Sequence, residues 1–250
     1  MSEKIKFCVV TTQRSGSTWL KHLLDSHPQI KMFGEPFLWR KQKRGWSDEV
    51  FLRYYDYCQA NSTLRPWVMF KYLNILEVYQ SEPHDIIGFK IMYKQIIQNP
   101  EFLLKIIADK YRVIHLARRN HLDVLISQTV ARQHNVFHVK DSDSKTRPVT
   151  LDTSSLIKTL NTYETLYRII KIFLKYSPLE VLEVTYDSLK DEREKTLSAI
   201  ADFLQVDSNS IVFESEHKRV NPGSYEDKID NYAEVKKVLA SSKYAKLINA

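Results

Sequence analysis

The sequence predicts an α/β fold with a central parallel sheet and helices on both faces. Three observations carry this. Short apolar, β-branched runs alternate with longer stretches whose apolar residues recur at spacings of three and four, the pattern of βαβ units. The turn after the first such run carries a glycine and hydroxyls ahead of a helical stretch, an arrangement that favours a bound anion. The composition is globular: 250 residues, 43% hydrophobic and 27% charged, with 11 Phe, 14 Tyr and 4 Trp to bury. That aromatic content argues against bulk disorder, and only 5 glycines exclude a collagen-like chain.

The elements follow in order. Lys6–Thr11 is a short β-branched run of the kind buried in a parallel sheet. Turn residues come next, then a helix from Ser17 with Trp19, Leu20, Leu23 and Leu24 on one side. His27-Pro28 ends it, because proline pushes the preceding residue out of the α region. Further strands are expected at Ile30–Phe33, Ile86–Met92, Arg112–Ala117 and Glu180–Thr185. Helices are expected at Leu122–Gln133, along Leu156, Leu160, Tyr163, Tyr167, Ile170 and Leu174, and at Asp191–Leu204. Residues 37–80 form a helical, aromatic segment, and the polar, aperiodic residues 139–153 a mobile loop. No repeat and no Gly/Ser- or Pro-rich linker divides the chain, so residues 1–250 are read as a single domain.

Charge and cysteines narrow the classes. Against 30 acidic residues stand 37 Lys and Arg, a net +7 with His neutral, which favours anionic partners through the long-range field. Arg40-Lys41-Gln42-Lys43-Arg44 is the densest cluster and reads as a solvated face. No helix-turn-helix, zinc-finger or RNP signature is present, so no nucleic-acid partner is expected. Cys8 and Cys58 cannot make a disulfide framework or a four-Cys zinc site, and no metal is expected. With no signal-peptide core and no apolar run near the ~20 residues that span a bilayer, the expected setting is soluble and cytoplasmic.

The segment Thr11-Thr12-Gln13-Arg14-Ser15-Gly16-Ser17-Thr18 carries the chemistry. Set against G-x-x-x-x-G-K-[ST], Gly16 and Thr18 hold the sixth and eighth places, while Thr11 replaces the first glycine and Ser17 the lysine. The turn and helix start can still aim backbone N–H groups at an anion, with Arg14 adding a charged fork and Thr18 a hydroxyl. The fold is therefore read as a P-loop NTPase-like three-layer sandwich. Without the lysine and a clear Walker-B partner, the machinery for a nucleoside triphosphate is incomplete. The bland reading makes Gly16 a turn glycine and Ser17 a helix cap.

Arg14-Ser15-Gly16-Ser17-Thr18-Trp19-Leu20 resembles the 5′-phosphosulfate loop of the PAPS-dependent sulfotransferases. Three later segments extend the resemblance in order. Val113–Arg119 followed by Asn120–Ser127 is similar to the family's 3′-phosphate motif, which implies Arg119 and Ser127 as the phosphate pair, with Arg118, one residue out of register, as second choice. Val184-Thr185-Tyr186-Asp187-Ser188-Leu189 looks like the family's Y-[DE]-x-L segment, which implies Tyr186 near the adenine. Lys218-Arg219-Val220-Asn221-Pro222 resembles the C-terminal basic segment of bacterial and Golgi-type members, which implies Lys218 or Arg219 on the nucleotide phosphates. The resemblance spans residues 5 to 235. It implies transfer of a sulfuryl group from PAPS to an acceptor hydroxyl, with PAP released and no metal.

Such a transfer needs a group to take the acceptor proton and cations to hold the developing charge. Cytosolic members of the family use a histidine in a central segment, but Gly88–Tyr93 contains none. Phe33-Gly34-Glu35-Pro36 offers a carboxylate after the second strand, similar to the glutamate base of protein-tyrosine and trehalose sulfotransferases. The alternative for Glu35 is a surface turn carboxylate or a salt-bridge partner for Arg40. Lys90 is a candidate cation for the sulfonyl group, or a solvated strand end. His115, inside an apolar strand, reads as a core histidine, and His22, His27 and His121 as structural. Within residues 37–80 the rings of Trp39, Trp46, Trp67 and the tyrosines either receive the acceptor or form a helical core. The core reading is expected for most single rings, and acceptor specificity for the segment as a whole. A glycan, a glycolipid or a natural product would supply the hydroxyl ahead of a peptide tyrosine. Two rivals stand: a P-loop kinase of a small hydroxyl substrate, which must replace the missing lysine, and a non-catalytic PAP or nucleotide binder, which would not need Glu35.

Overall fold

The computed structural model describes residues 4–38, 53–61, 67–79, 84–133, 148–206 and 223–249. Along the chain run β1 (Ile5–Thr11), α1 (Ser17–Asp25), β2 (Ile30–Phe33), α2 (Tyr54–Ala60), α3 (Trp67–Tyr79), β3 (Ile86–Met92), α4 (Tyr93–Gln98), α5 (Glu101–Ala108), β4 (Arg112–Ala117), α6 (His121–Gln133) and α7 (Leu156–Tyr176). There follow β5 (Val181–Thr185), α8 (Tyr186–Asp191), α9 (Arg193–Leu204), α10 (Tyr225–Lys228), α11 (Tyr232–Ala240) and a 3-10 turn at Ala245–Asn249. Every strand lies within one residue of its apolar run.

The chain divides into two compact units. The first comprises Met1–Thr12, Gly16–Ala117 and Ile170–Ser215 and holds the sheet; the second comprises Gln13–Ser15, Arg118–Ile169 and Glu216–Ala250.

In the first unit five parallel strands are ordered β2-β3-β1-β4-β5. From β1 the chain moves to β2 on one side, returns through β3, and only then crosses to β4 on the other. The carboxyl ends of β1 and β4 thus form the topological switch point where open α/β sheets bind ligands. Because successive strand side chains alternate in direction, Phe7 and Val9 face one layer and Cys8 and Val10 the other. Phe7, Val9, Ile114, Leu116 and Val184 pack with Leu20, Leu23 and Leu24 of α1 and with Leu189, Leu197, Ile200 and Leu204 of α8 and α9. A Cβ at Gly88 would overlap the Phe7 ring, which fills the space that glycine leaves. On the opposite face Phe89 meets Phe37, Phe102 and Tyr111 with ring centroids 5.5, 5.9 and 5.9 Å away. Phe37 in turn touches Tyr54 of α2 and Tyr72 of α3. Helices therefore cover both faces, as the three-layer prediction requires.

The second unit buries Leu122, Ile126 and Val130 of α6 with Leu156 and Leu160 of α7, Val149, Ile229, and Val235 and Leu239 of α11. Within the stretch expected to be a mobile loop, residues 139–147 lie outside the described residues, but 148–153 are anchored. Val149 bridges to Ile229, the Leu151 N–H donates to Asn231 Oδ1 (3.0 Å), and Asn231 Nδ2 donates to the Leu151 carbonyl (2.9 Å). Helices α10 and α11 add to what periodicity predicts. Being only 4 and 9 residues long and rich in charge, they carry too few apolar positions for a clear period. Among the described residues no helix is long and apolar enough to cross a membrane.

Candidate active site

The loop between β1 and α1 is set by backbone handedness. Gly16 caps α1 with φ 84°, in the left-handed region, and Arg14 adopts φ 61°. Gly16, not Ser17, is thus the helix cap, and no side chain caps it. Left-handed residues in such a turn aim successive N–H groups to one side, and the first-turn N–H groups of a helix have no partner within it. No acidic residue occupies the first turn of α1, so this end favours an anion. Ser15 and Ser17 are buried. A Cβ on Gly16 would lie 2.7 Å from Tyr186 Cδ2. Tyr186 opens α8, and its ring sits edge-on to Trp19, centroids 6.5 Å apart.

In the first unit three predicted groups come together. The Lys90 N–H donates to the Gly34 carbonyl (3.0 Å), extending the β2–β3 ladder past Phe33 and drawing Glu35 beside β3. Lys90 Nζ stands 3.3 Å from Glu35 Oε1 and donates to Thr18 Oγ1 at 2.9 Å. The Lys90 side chain is 7% exposed and that of Glu35 24%, so Lys90 is no solvated strand end. The Glu35 segment is also fixed from behind: the Pro36 carbonyl accepts from the Tyr54 N–H (2.9 Å), and Phe37 is buried among aromatic rings. Arg40, weighed as the partner of Glu35, lies outside the described residues.

In the second unit a different cluster forms. Arg14 Nε donates to Ser127 Oγ of α6 at 2.9 Å. Arg118 Nη1 donates to the Arg14 carbonyl (3.0 Å), and its Nη2 to Asp123 Oδ2 (2.8 Å). Gln128 Nε2 reaches Gln13 Oε1 at 3.4 Å, and Tyr163 donates to Gln128 Oε1 at 2.6 Å. Burial, and behind it the neighbouring Arg118 guanidinium, pulls Arg14 below the usual arginine range. Arg119, the first choice for a 3′-phosphate, is exposed. Asp123, Asn120 and Tyr225 escape a motif reading. The signal that could find Asp123 is its place in the first turn of a helix five residues after an arginine at a strand end.

His115 is buried on β4 with its Nε2 2.7 Å from the Tyr93 hydroxyl. Burial pulls its pKa down to about 4, against the Glu183 carboxylate and with the help of Lys171. That is a core histidine with a partner. His27 is buried with its Nδ1 accepting from the Gln29 N–H, and His121 is buried against Tyr163 and Tyr167. Of the aromatic segment, Phe37, Tyr54 and Tyr72 are core while Trp67 is 62% exposed. Trp39, Trp46, Lys218 and Arg219 lie outside the described residues.

Known proteins resemble this chain in sequence and in fold. Residues 7–210 match the model of the sulfotransferase family. Over 245 residues the chain is 24% identical to nodulation protein H of Rhizobium tropici, covering 96% of this chain and 91% of that one. A sulfotransferase from Alicyclobacillus acidocaldarius superposes with a TM-score of 0.51 at 14% identity, over 98% of this chain and 96% of that one. A mouse sulfotransferase complexed with PAP gives 0.42 at 15% identity, over 82% and 61%. With a family match over most of its length, on a five-stranded parallel sheet, this chain belongs to the sulfotransferase family.

Proposed function

We propose that this sulfotransferase takes its sulfuryl group from PAPS and delivers it in line to an acceptor hydroxyl, with Glu35 as general base. The observation that carries the reading is the Lys90 ammonium held between Glu35 Oε1 and Thr18 Oγ1. One cation touches both the carboxylate suited to take a proton and the loop suited to hold the leaving phosphate. The acceptor oxygen forms a bond to sulfur as the bond from sulfur to the 5′-phosphate oxygen breaks. The acceptor proton passes to Glu35, and the electron pair leaves on PAP. Lys90 and Arg14 hold the charge that builds on the sulfonyl and bridging oxygens, as preorganised donors do in group transfer.

Ser15, Gly16, Ser17 and Thr18, with Trp19 of the same loop motif, bind the 5′-phosphosulfate end of the nucleotide, Arg119 and Ser127 the 3′-phosphate, and Tyr186 the adenine. The Tyr186 ring lies against that loop, 2.7 Å from where a Cβ on Gly16 would stand, which supports its place beside the nucleotide. Lys218 or Arg219 adds charge at the nucleotide phosphates. No step needs a metal, since arginine, lysine and backbone donors neutralise the charge. The hydroxyl belongs to a glycan, a glycolipid or a natural product ahead of a peptide tyrosine. Glu35→Gln tests the base: it should bind PAP with unchanged affinity while turnover falls by about 10²–10⁴. A Glu35→Gln enzyme with normal turnover overturns the assignment.

A further inference from the structure

Arg14 holds a left-handed backbone, φ 61°, without being glycine. A side-chain-bearing residue resists that region, so something must hold it there. Its carbonyl accepts from Arg118 Nη1 at 3.0 Å, and the other terminal nitrogen of the same guanidinium donates to Asp123 Oδ2 at 2.8 Å. The planar fork of arginine suits such a two-way bridge, since its donors are fixed relative to one another. The Arg118 and Asp123 side chains are only 10% and 19% exposed, so the pair is shielded from solvent competition.

The bridge has its own support. Asn120 Oδ1 accepts from the Asp123 N–H (3.1 Å), and Asn120 Nδ2 donates to the Tyr225 hydroxyl (2.7 Å). Burial, followed by the Asp123 carboxylate, pushes that hydroxyl up to about 12, so it stays a neutral hydrogen-bonding group. Three segments distant in sequence, at residues 14, 118–123 and 225, are thereby tied within the second unit. The neighbouring Arg119 is exposed.

We propose that Arg118 is a positioning residue: braced by Asp123, it holds the Arg14 carbonyl and with it the left-handed turn of the nucleotide loop, and it is not a phosphate ligand. The inference rests on the reading of that loop as the nucleotide site. A positioning residue and a 3′-phosphate ligand leave different marks. Loss of a ligand for the 3′-phosphate weakens only nucleotides that carry one. Loss of the brace weakens every nucleotide the loop holds, by the same factor.

The experiment is calorimetric titration of the wild type, Arg118→Met, Arg118→Lys, Asp123→Asn and Arg119→Ala with PAP and with AMP, which lacks the 3′-phosphate. Arg118→Met should bind both nucleotides roughly tenfold more weakly, the size of one charge-assisted hydrogen bond, with the PAP-to-AMP ratio unchanged and full stoichiometry. Arg118→Lys should not rescue, because an ammonium keeps the charge but lacks the coplanar fork. Asp123→Asn should show the same even loss to a smaller degree, and it serves as the test if Arg118→Met does not fold. Arg119→Ala alone should collapse the ratio. Selective loss of PAP in Arg118→Met would make Arg118 a phosphate ligand and overturn the proposal. So would unchanged affinity for both nucleotides, even with a lower melting temperature. A wild type that binds neither PAP nor AMP removes the nucleotide reading itself, and this proposal with it.

Discussion

The two polar clusters hold similar charges on different supports. In the first unit Glu35 lies just past the end of β2 and Lys90 within β3, where the backbone ladder from Phe33–Phe89 onward sets their separation. In the second unit Arg14, Arg118 and Ser127 sit on a loop, a strand end and a helix, and side chains set their positions. A group placed by backbone register can be removed without moving its neighbours. A group placed by mutual side-chain bonds carries its neighbours with it when it goes. The first cluster should therefore answer mutation in turnover and the second in nucleotide binding, with Arg14, which also faces the transferring group in the proposed reaction, answering in both.

The sharpest way to break that contrast is Lys90→Met. It removes the ammonium between Glu35 and Thr18 while keeping most of the side-chain volume in a site only 7% exposed. Loss of one preorganised charge donor costs about 10²–10³ in kcat, and the contrast predicts little change in the affinity for PAP. Steady-state kinetics with calorimetry separates the two quantities. Equal losses of kcat and PAP affinity would show that Lys90 serves the nucleotide, and the division between the clusters would fall. Titration with ATP belongs in the same experiment, because the kinase rival must replace the missing P-loop lysine and Lys90 is a cation that touches the loop, at Thr18. ATP binding in preference to PAP would favour phosphoryl transfer.

How much of this was legible in the sequence follows the same division. The strands were readable because parallel strands buried on both faces are unbroken apolar runs, and Ile30–Phe33, Ile86–Met92 and Arg112–Ala117 match residue for residue. Gly16 was readable because a left-handed helix cap selects glycine. Glu35 and Lys90 were each legible by local context, but their pairing was not. It depends on the β2–β3 register across 54 intervening positions, whereas Arg40, weighed as an alternative partner, lies only five positions away in sequence. The role of Arg118 was hidden for a related reason: it contacts a backbone carbonyl 104 residues away, and carbonyls leave no trace in sequence. The start of α8 directly at Tyr186 was hidden too, because it rests on the reciprocal Thr185–Ser188 cap.

The next largest effect is on stability, and it sharpens the contrast from the side of burial. The sheet of the first unit encloses His115, with Tyr93 on its Nε2. The ring titrates near 4 in the folded chain and near 6.5 when unfolded. Between those values the unfolded chain binds a proton that the folded chain refuses. The contribution is therefore full above about pH 6.5, is lost as the pH falls towards 4, and amounts to about 3 kcal/mol. Urea unfolding at pH 7.5 and pH 4.5 reads the loss. His115→Gln, which has no charge to gain, should flatten the dependence. His121 in the second unit is also pulled down by burial, so some acid sensitivity should remain. A dependence unchanged in His115→Gln would assign it all to other groups.

The smallest effect compares two residues of one loop. Gly16 and Arg14 share a left-handed backbone, φ 84° and 61°, yet one is permitted by the absence of a side chain and the other is held by Arg118. Gly16→Ala should cost about 1–2 kcal/mol for the handedness alone. It should cost more because the new Cβ meets Tyr186 Cδ2 at 2.7 Å. Adding Tyr186→Ala to Gly16→Ala should recover the overlap but not the handedness, and Tyr186→Ala alone gives the baseline for that cycle. Arg14→Gly should behave in the opposite sense, relieving strain in the backbone while losing the bond to Ser127 and the cation offered to the nucleotide. Thermal unfolding should then leave Arg14→Gly close to the wild type in stability and far below it in affinity for PAP. If Gly16→Ala proves neutral, or Arg14→Gly binds PAP normally, the loop is not held in these two ways, and the difference between backbone-set and side-chain-set positions does not extend to it.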